Sequence, residues 1–332
     1  MQAVSRQWRL AAHPDGLIKP GDFRWHEEPL RELRDGEVLV RVEYLSLDPT
    51  NRIWANGQES YLPPVAIGEV MRGIGTGVIE ASRNASCAVG TRVSGRIGWQ
   101  SHVISDGRDI AALPAGVEPT LQLGLLGHIG ITAYFALLDL GRPQPGETVV
   151  VTGAAGAVGS LAGQIAKLHG CRVVGIAGSA AKCRWITEDL GFDAAINYKT
   201  EDVAQALEQT CPKGIDVDFE NVGGTILDAI LGRANLHARI VICGLIAQYN
   251  ARGPVPGPTN FDKILIQRLR VEGFMLMDYR QRSAEAVAAL REWHAAGKLK
   301  FRLDVVEGLE NAPVAVNKLF DGSNAGKLVV KL

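Results

Sequence analysis

Hydrophobic and polar positions change their spacing near residue 120. Upstream, apolar and polar residues alternate in short pieces: EVLVRV over Glu37 to Val42, then GIGTGVIEA, GTRVSGRIG and SHVI, each bounded by turn residues. Period-two pieces of this kind predict strands with one face in a core, closing into a compact antiparallel barrel. From about 122 to 295 the apolar runs become continuous: TVVVTG (148–153), RVVGIAG (172–178), DAAIN (193–197), IDVDFEN (215–221), RIVICGL (239–245) and LRVEGFML (269–276). Val- and Ile-rich runs separated by helical patterns predict a parallel sheet covered on both faces, that is, a doubly wound α/β domain. The last segment, FRLDVVEGLENAPVAVNKLFDGSNAGKLVVKL, predicts a short helix and a final strand that rejoins the first domain. The expected division is residues 1–121 with 299–332, and residues 122–298.

Composition narrows the class of protein. A chain of 332 residues, 46% hydrophobic and 21% charged, is long enough for two packed cores. Lys and Arg number 35 against 36 Asp and Glu, so the net charge of -1 gives no electrostatic reason to expect nucleic acid or an anionic membrane as a partner. The five cysteines are scattered and odd in number, with no CxxC pair, which suits a reducing compartment and predicts a cytosolic protein. The apolar segment 121–141 contains Gln122, His128, repeated glycines and Asp139, and is expected to be a buried helix and not a membrane span.

The stretch VTGAAGAVGS, residues 151–160, raises the question of a ligand. Glycines between a strand and a helix let backbone approach a pyrophosphate, whose charge is met by free N–H groups and the helix dipole. Gly156 and Gly159 fit the second and third glycines of a dinucleotide fingerprint, with Ala154 in place of the first. An NAD site would place a carboxylate at the end of the next strand. Here that end reads GSAAKCR: no Asp or Glu occurs from Ser160 to Thr187, and Lys182 and Arg184 follow the strand, so a 2'-phosphate is favoured and the expected cofactor is NADP(H). Tyr198, Asn221 and Tyr249 also fall at carboxyl ends of strands, where ligands bind in such sheets.

The run AAGAVGSLAGQIAKLHGCRVVGIAGSAAKCRW, followed by GFDAAINYKTED, DFENVGG and CGLIAQYN, resembles the prostaglandin reductase and curcumin reductase branch of the medium-chain dehydrogenase/reductases. LSLDP, YLPP, GEVMRGIGTGVIE and the ending GSNAGKLVVKL extend the likeness over nearly the whole chain. The resemblance implies a GroES-like β-barrel domain followed by a Rossmann domain, a homodimer, and NADPH-dependent reduction of the carbon-carbon double bond of α,β-unsaturated ketones and aldehydes. It places cofactor contacts on Gly156, Ala157, Val158, Gly159, Lys182, Tyr198 and Asn221, on Cys243, Gly244, Leu245, Ile246, Ala247, Gln248 and Tyr249, and on Phe274, Met275, Leu276 and Asn324. Thr50-Asn51 and His128-Ile129 depart from the branch near where a substrate would be lined.

Zinc alcohol dehydrogenases share the superfamily, but the Gly68-Glu69-Val70-Met71 stretch lacks their His-Glu pair and the lone cysteines form no ligand set, so no metal is expected. A conjugated alkene can take hydride at its β-carbon without a Lewis acid, passing charge to oxygen as an enolate. Tyr249 is the first candidate to hold that oxygen or donate the proton; the alternative is that it only packs against the nicotinamide. Trp54, Tyr61 and Tyr279 are weaker candidates for the substrate wall. An NADPH-dependent quinone oxidoreductase and an NADP-binding sensor without turnover are the competing readings.

Overall fold

The computed structural model describes residues 4–332. They form two units, one running up to Leu123 and joined by Leu303–Leu332, the other Gly124–Arg302. In the first unit β1 (Val4–Leu10) pairs with β2 (Phe23–Pro29) as a hairpin. β3 (Val38–Ser46), β4 (Ile74–Ser82), β5 (Arg92–Arg96), β6 (His102–Ser105) and β7 (Ile110–Ala112) form an antiparallel sheet, in which β6 adds to β3. The alternation of EVLVRV does what period two requires: Val38, Val40 and Val42 are buried in the core while Arg41 is exposed. Two chain-terminal strands, β14 (Leu303–Glu307) and β15 (Lys327–Lys331), complete this sheet, β15 pairing with β3. The buried Lys327 ammonium donates to Leu47 O and Leu328 O, both 2.8 Å away, and to Asp48 Oδ1 at 3.1 Å. Asp48 precedes helix α1 (Pro49–Trp54); α2 (Pro119–Leu123) ends the unit's first segment.

The second unit holds a six-stranded parallel sheet: β8 (Thr148–Val151), β9 (Arg172–Ala177), β10 (Ala194–Asn197), β11 (Ile215–Glu220), β12 (Ala234–Ile242) and β13 (Arg270–Gly273), in spatial order β10-β9-β8-β11-β12-β13. Every residue of β8 is buried, as expected of a strand with helices on both faces. Helices α3 (His128–Phe135) and α4 (Ala157–Leu168) pack together, α4 against β8 and β9; α5 (Ala180–Arg184) follows β9; α6 (Val203–Thr210) and α7 (Gly224–Arg233) pack on β10 and β11. α8 (Asp262–Ile266) leads into β13, and α9 (Ser283–Ala295) packs on α3.

Two local expectations are refined. The apolar segment 121–141 is not one helix: α2 stops at Leu123, α3 begins at His128 and continues as a π turn over Ala136–Gly141. Gly124 lies at the break, packed so closely against Phe301 that a Cβ there would lie 1.9 Å from the ring. No helix among the described residues is long and apolar enough to cross a membrane. The strand expected at 239–245 instead starts at Ala234 and ends at Ile242, leaving Cys243 to Leu245 in the loop beyond it.

One core residue breaks the apolar pattern. Asp218, in the middle of β11, lies in register between Val150 and Ile240 and is fully buried, with neither carboxylate oxygen hydrogen-bonded. Burial raises its pKa well above the ordinary 3.8, and the nearby Glu220 raises it further. Above pH 4 the unfolded chain releases this proton while the native protein keeps it, so stability falls as pH rises, by about 1.4 kcal/mol per pH unit, until the native carboxyl also ionises. Asp218→Val is therefore expected to stabilise the protein by about 1–3 kcal/mol at pH 7, with the gain larger at pH 8 than at pH 5. Urea denaturation at the two pH values checks this; a gain independent of pH contradicts the assignment.

Candidate active site

The strand order reverses between β8 and β11, and the crevice beyond the carboxyl ends of the strands at such a switch point is where ligands bind in open α/β sheets. On the β8 side the chain turns through Gly153, whose φ of +58° is a left-handed conformation that glycine adopts without strain. Gly159 then passes so close to this turn that a Cβ would lie 2.5 Å from Gly153 O. Gly156 caps α4 without a side chain, and the first intrahelical bond is made by Ser160 N–H to Gly156 O at 3.0 Å. The amides of Ala157, Val158 and Gly159 precede that bond, at the positive end of a 12-residue helix. These residues fit a pyrophosphate, and a side chain at Gly159 would fill the space that its backbone approach leaves.

At the end of β9, Ser179 Oγ accepts the Lys182 N–H at 3.3 Å and starts α5. Tyr198, beyond β10, lies over the same turn: a Cβ on Gly178 would come within 3.0 Å of its hydroxyl. Lys182 is half-buried and Tyr198 is 40% exposed. The acidic residue that follows, Glu201, is engaged elsewhere, accepting from Asn197 N at 2.6 Å. The turn thus offers a cation, a phenol and backbone to a phosphate monoester.

The β11 and β12 ends are tied to β8. Asn221 N donates to Thr152 Oγ1 and Asn221 Nδ2 to Thr152 O, both at 2.7 Å. Thr152 Oγ1 donates to Glu220 Oε1 at 2.6 Å, and the same oxygen accepts from Val222 N at 2.5 Å and Gly223 N at 3.0 Å. Cys243 N and Gly244 N donate to the Glu220 carbonyl, Ile246 N to Asn221 O and Ala247 N to Val222 O. Tyr249 folds back over its own loop, its hydroxyl accepting from Leu245 N at 3.0 Å. Burial raises the Tyr249 pKa, so the phenol keeps its proton at neutral pH and has an O–H left to donate. Beyond β13, Phe274 is buried and stacks on Tyr279 at 5.1 Å, and Tyr279 on Phe135 at 4.7 Å; Met275 and Leu276 follow, half-buried.

The structure therefore gathers Gly156 to Gly159, Asn221 and the 243–249 loop at the switch point, with Lys182 and Tyr198 one strand and two strands further out. Tyr279 belongs instead to an aromatic stack on a cavity of about 410 Å³, lined by Leu138, Asp139, Leu140, Arg142, Arg270 and Glu272, none of them from the strand-end loops. Trp54, Tyr61 and Asn324 are in the other unit. Trp54 is 8% exposed, with Tyr61 edge-on at 6.5 Å and the Arg72 guanidinium 5.4 Å above it. Asn51 is buried, donating to Arg72 O at 3.1 Å and accepting from Asp48 N at 2.8 Å, so it holds its own loop. Asn324 is buried and donates to Gly326 O at 3.3 Å. Sequence reasoning missed Gly153, Thr152 and Glu220; Gly153 was legible as the first glycine after the strand, while the other two matter only through a pairing across strands.

This arrangement is that of a dinucleotide-binding oxidoreductase, and the comparisons agree. Residues 6–113 match the family described as N-terminal domain of oxidoreductase, and residues 157–292 match the family described as zinc-binding dehydrogenase. The chain belongs to the medium-chain dehydrogenase/reductases, in the branch that contains curcumin and prostaglandin reductases. It is 43% identical to NADPH-dependent curcumin reductase of Escherichia coli, over 99% of this chain and 97% of that protein. It is 39% identical to rat prostaglandin reductase 1, over 98% and 99% of the two chains. The crystal structure of CurA from Vibrio vulnificus in complex with NADPH superposes with a TM-score of 0.94 at 43% identity, covering 98% of each chain.

Proposed function

We propose that this protein uses NADPH to reduce the carbon-carbon double bond of α,β-unsaturated ketones and aldehydes. The observation that carries this reading is the likeness, along nearly the full length of each chain, to reductases named for NADPH and for conjugated substrates. NADPH, when bound, supplies the hydride. The glycine turn and the α4 amides bind its pyrophosphate, Lys182 and Tyr198 receive the 2'-phosphate, and Asn221, the 243–249 loop and Phe274 to Leu276 hold the nicotinamide half. The Tyr249 hydroxyl steadies the developing enolate oxygen and stands as the proton source for the α-carbon.

We read the reaction as independent of zinc: among the described residues no three His, Cys, Asp or Glu are placed to hold a metal, despite the zinc-binding name of the matched family. We also infer a cytosolic homodimer. The edge strand β13, with Val271 exposed, and the exposed Phe261, Leu265 and Ile266 leading into it support self-association, and the unpaired cysteines suit the compartment.

A substrate panel followed by NADPH absorbance, with the product's mass gain of two hydrogens confirmed, tests the reading. Small enones are expected to turn over at least roughly tenfold faster than quinones or saturated ketones, with EDTA without effect. Faster quinone turnover, binding without turnover, or an EDTA loss restored by zinc would each replace it.

A further inference from the structure

Two carboxyl groups, Asp218 and Glu220, share one face of β11 directly beneath the switch point, and both are fully buried. Their surroundings differ. Glu220 Oε1 accepts from the Thr152 hydroxyl and from two loop amides, whereas neither oxygen of Asp218 has a partner. Burial raises the pKa of both, but the three donors on Glu220 Oε1 oppose the rise there and nothing opposes it at Asp218, so of the pair Glu220 is the one that ionises first. Glu220 Oε2 is also buried and accepts no hydrogen bond.

We propose that Glu220 is a positioning residue for the cofactor: its buried carboxyl group braces the turns after β8 and β11 at the switch point, its carbonyl holds the turn after β12, and a carboxylate there would place negative charge at the strand ends that receive the nicotinamide half. The brace is complete in itself. The side chain reaches Thr152 after β8 and Val222 and Gly223 after β11, while the Glu220 carbonyl takes Cys243 N at 2.9 Å and Gly244 N at 3.0 Å after β12. Through Thr152 it also fixes Asn221. The charge has a separate consequence. A nicotinamide ring is neutral in NADPH and cationic in NADP+, so a carboxylate at the strand ends that would receive it would favour the oxidised form.

The inference rests on the cofactor placement proposed above, and the test separates the two. Glu220→Gln keeps the shape and one acceptor but removes the charge; Thr152→Val keeps the glutamate and removes the bridge; Lys182→Ala probes the far end of the cofactor. Dissociation constants for NADPH and NADP+ are measured by calorimetry, with thermal unfolding in parallel. Glu220→Gln is expected to weaken NADP+ at least roughly threefold more than NADPH, whereas Lys182→Ala weakens both alike and Thr152→Val weakens NADPH about fivefold. An unchanged NADP+ to NADPH ratio in Glu220→Gln, with Lys182→Ala still impaired, overturns the role of Glu220 alone. Should Glu220→Gln prevent folding, Thr152→Val decides, and NADPH affinity within about twofold of the unmodified protein overturns the brace. If Lys182→Ala also binds normally, the cofactor placement fails and this inference with it.

Discussion

Tyr249→Phe is expected to lower kcat by roughly ten- to a thousandfold, about 1.4 to 4 kcal/mol of transition-state stabilisation, with little change in NADPH affinity. The substitution removes one oxygen and leaves the ring. Because the hydroxyl accepts Leu245 N–H at 3.0 Å, the loop loses one neutral hydrogen bond as well, a cost of about 1 kcal/mol that unfolding measurements report separately. Single-turnover rates with a small enone and fluorescence titration of NADPH together decide the role. If kcat holds while NADPH affinity falls, Tyr249 only packs against the cofactor and the proton comes from water. If neither moves, the reacting centre lies elsewhere, and Tyr61 and Tyr279 are tested by the same change.

NADPH is expected to bind at least tenfold more tightly than NADH, equivalent to about 1.4 kcal/mol, and Lys182→Ala to erase most of that difference. The reason is the turn after β9. No Asp or Glu occurs from Ser160 to Thr187, Ser179 fixes the Lys182 backbone, and Tyr198 closes over Gly178. NADH affinity should be nearly unaffected by the same substitution, since the lysine has no phosphate to meet there. Equal affinities for the two cofactors in the unmodified protein would reject this account of the turn.

The change of hydrophobic period near residue 120 was sufficient to separate an alternating antiparallel sheet from a parallel one, because one-face and two-face burial leave different local patterns in sequence. The glycine turn and the acid-free segment from Ser160 to Thr187 were equally local, so the cofactor class was legible within a single βαβ unit. What the pattern could not supply was distance between separate strands. Thr152 and Glu220 meet across 68 positions, and neither residue type signals that meeting. Asp218 interrupts IDVDFEN, a run that the sequence counts among the strands covered on both faces, and α7 and the neighbouring strands do bury it. Tyr249 could be placed at a strand end from the sequence, but the free donor of its hydroxyl depends on the loop folding back to offer Leu245 N–H. Segment 121–141 kept its apolar character and lost its continuity, and the close packing of Phe301 on Gly124 comes from a residue remote in the chain. Periodicity and turn chemistry are properties of neighbours along the chain and so determine fold class and cofactor. Hydrogen-bond partners and the placement of buried charge are properties of neighbours in space, and the tertiary structure alone decides them.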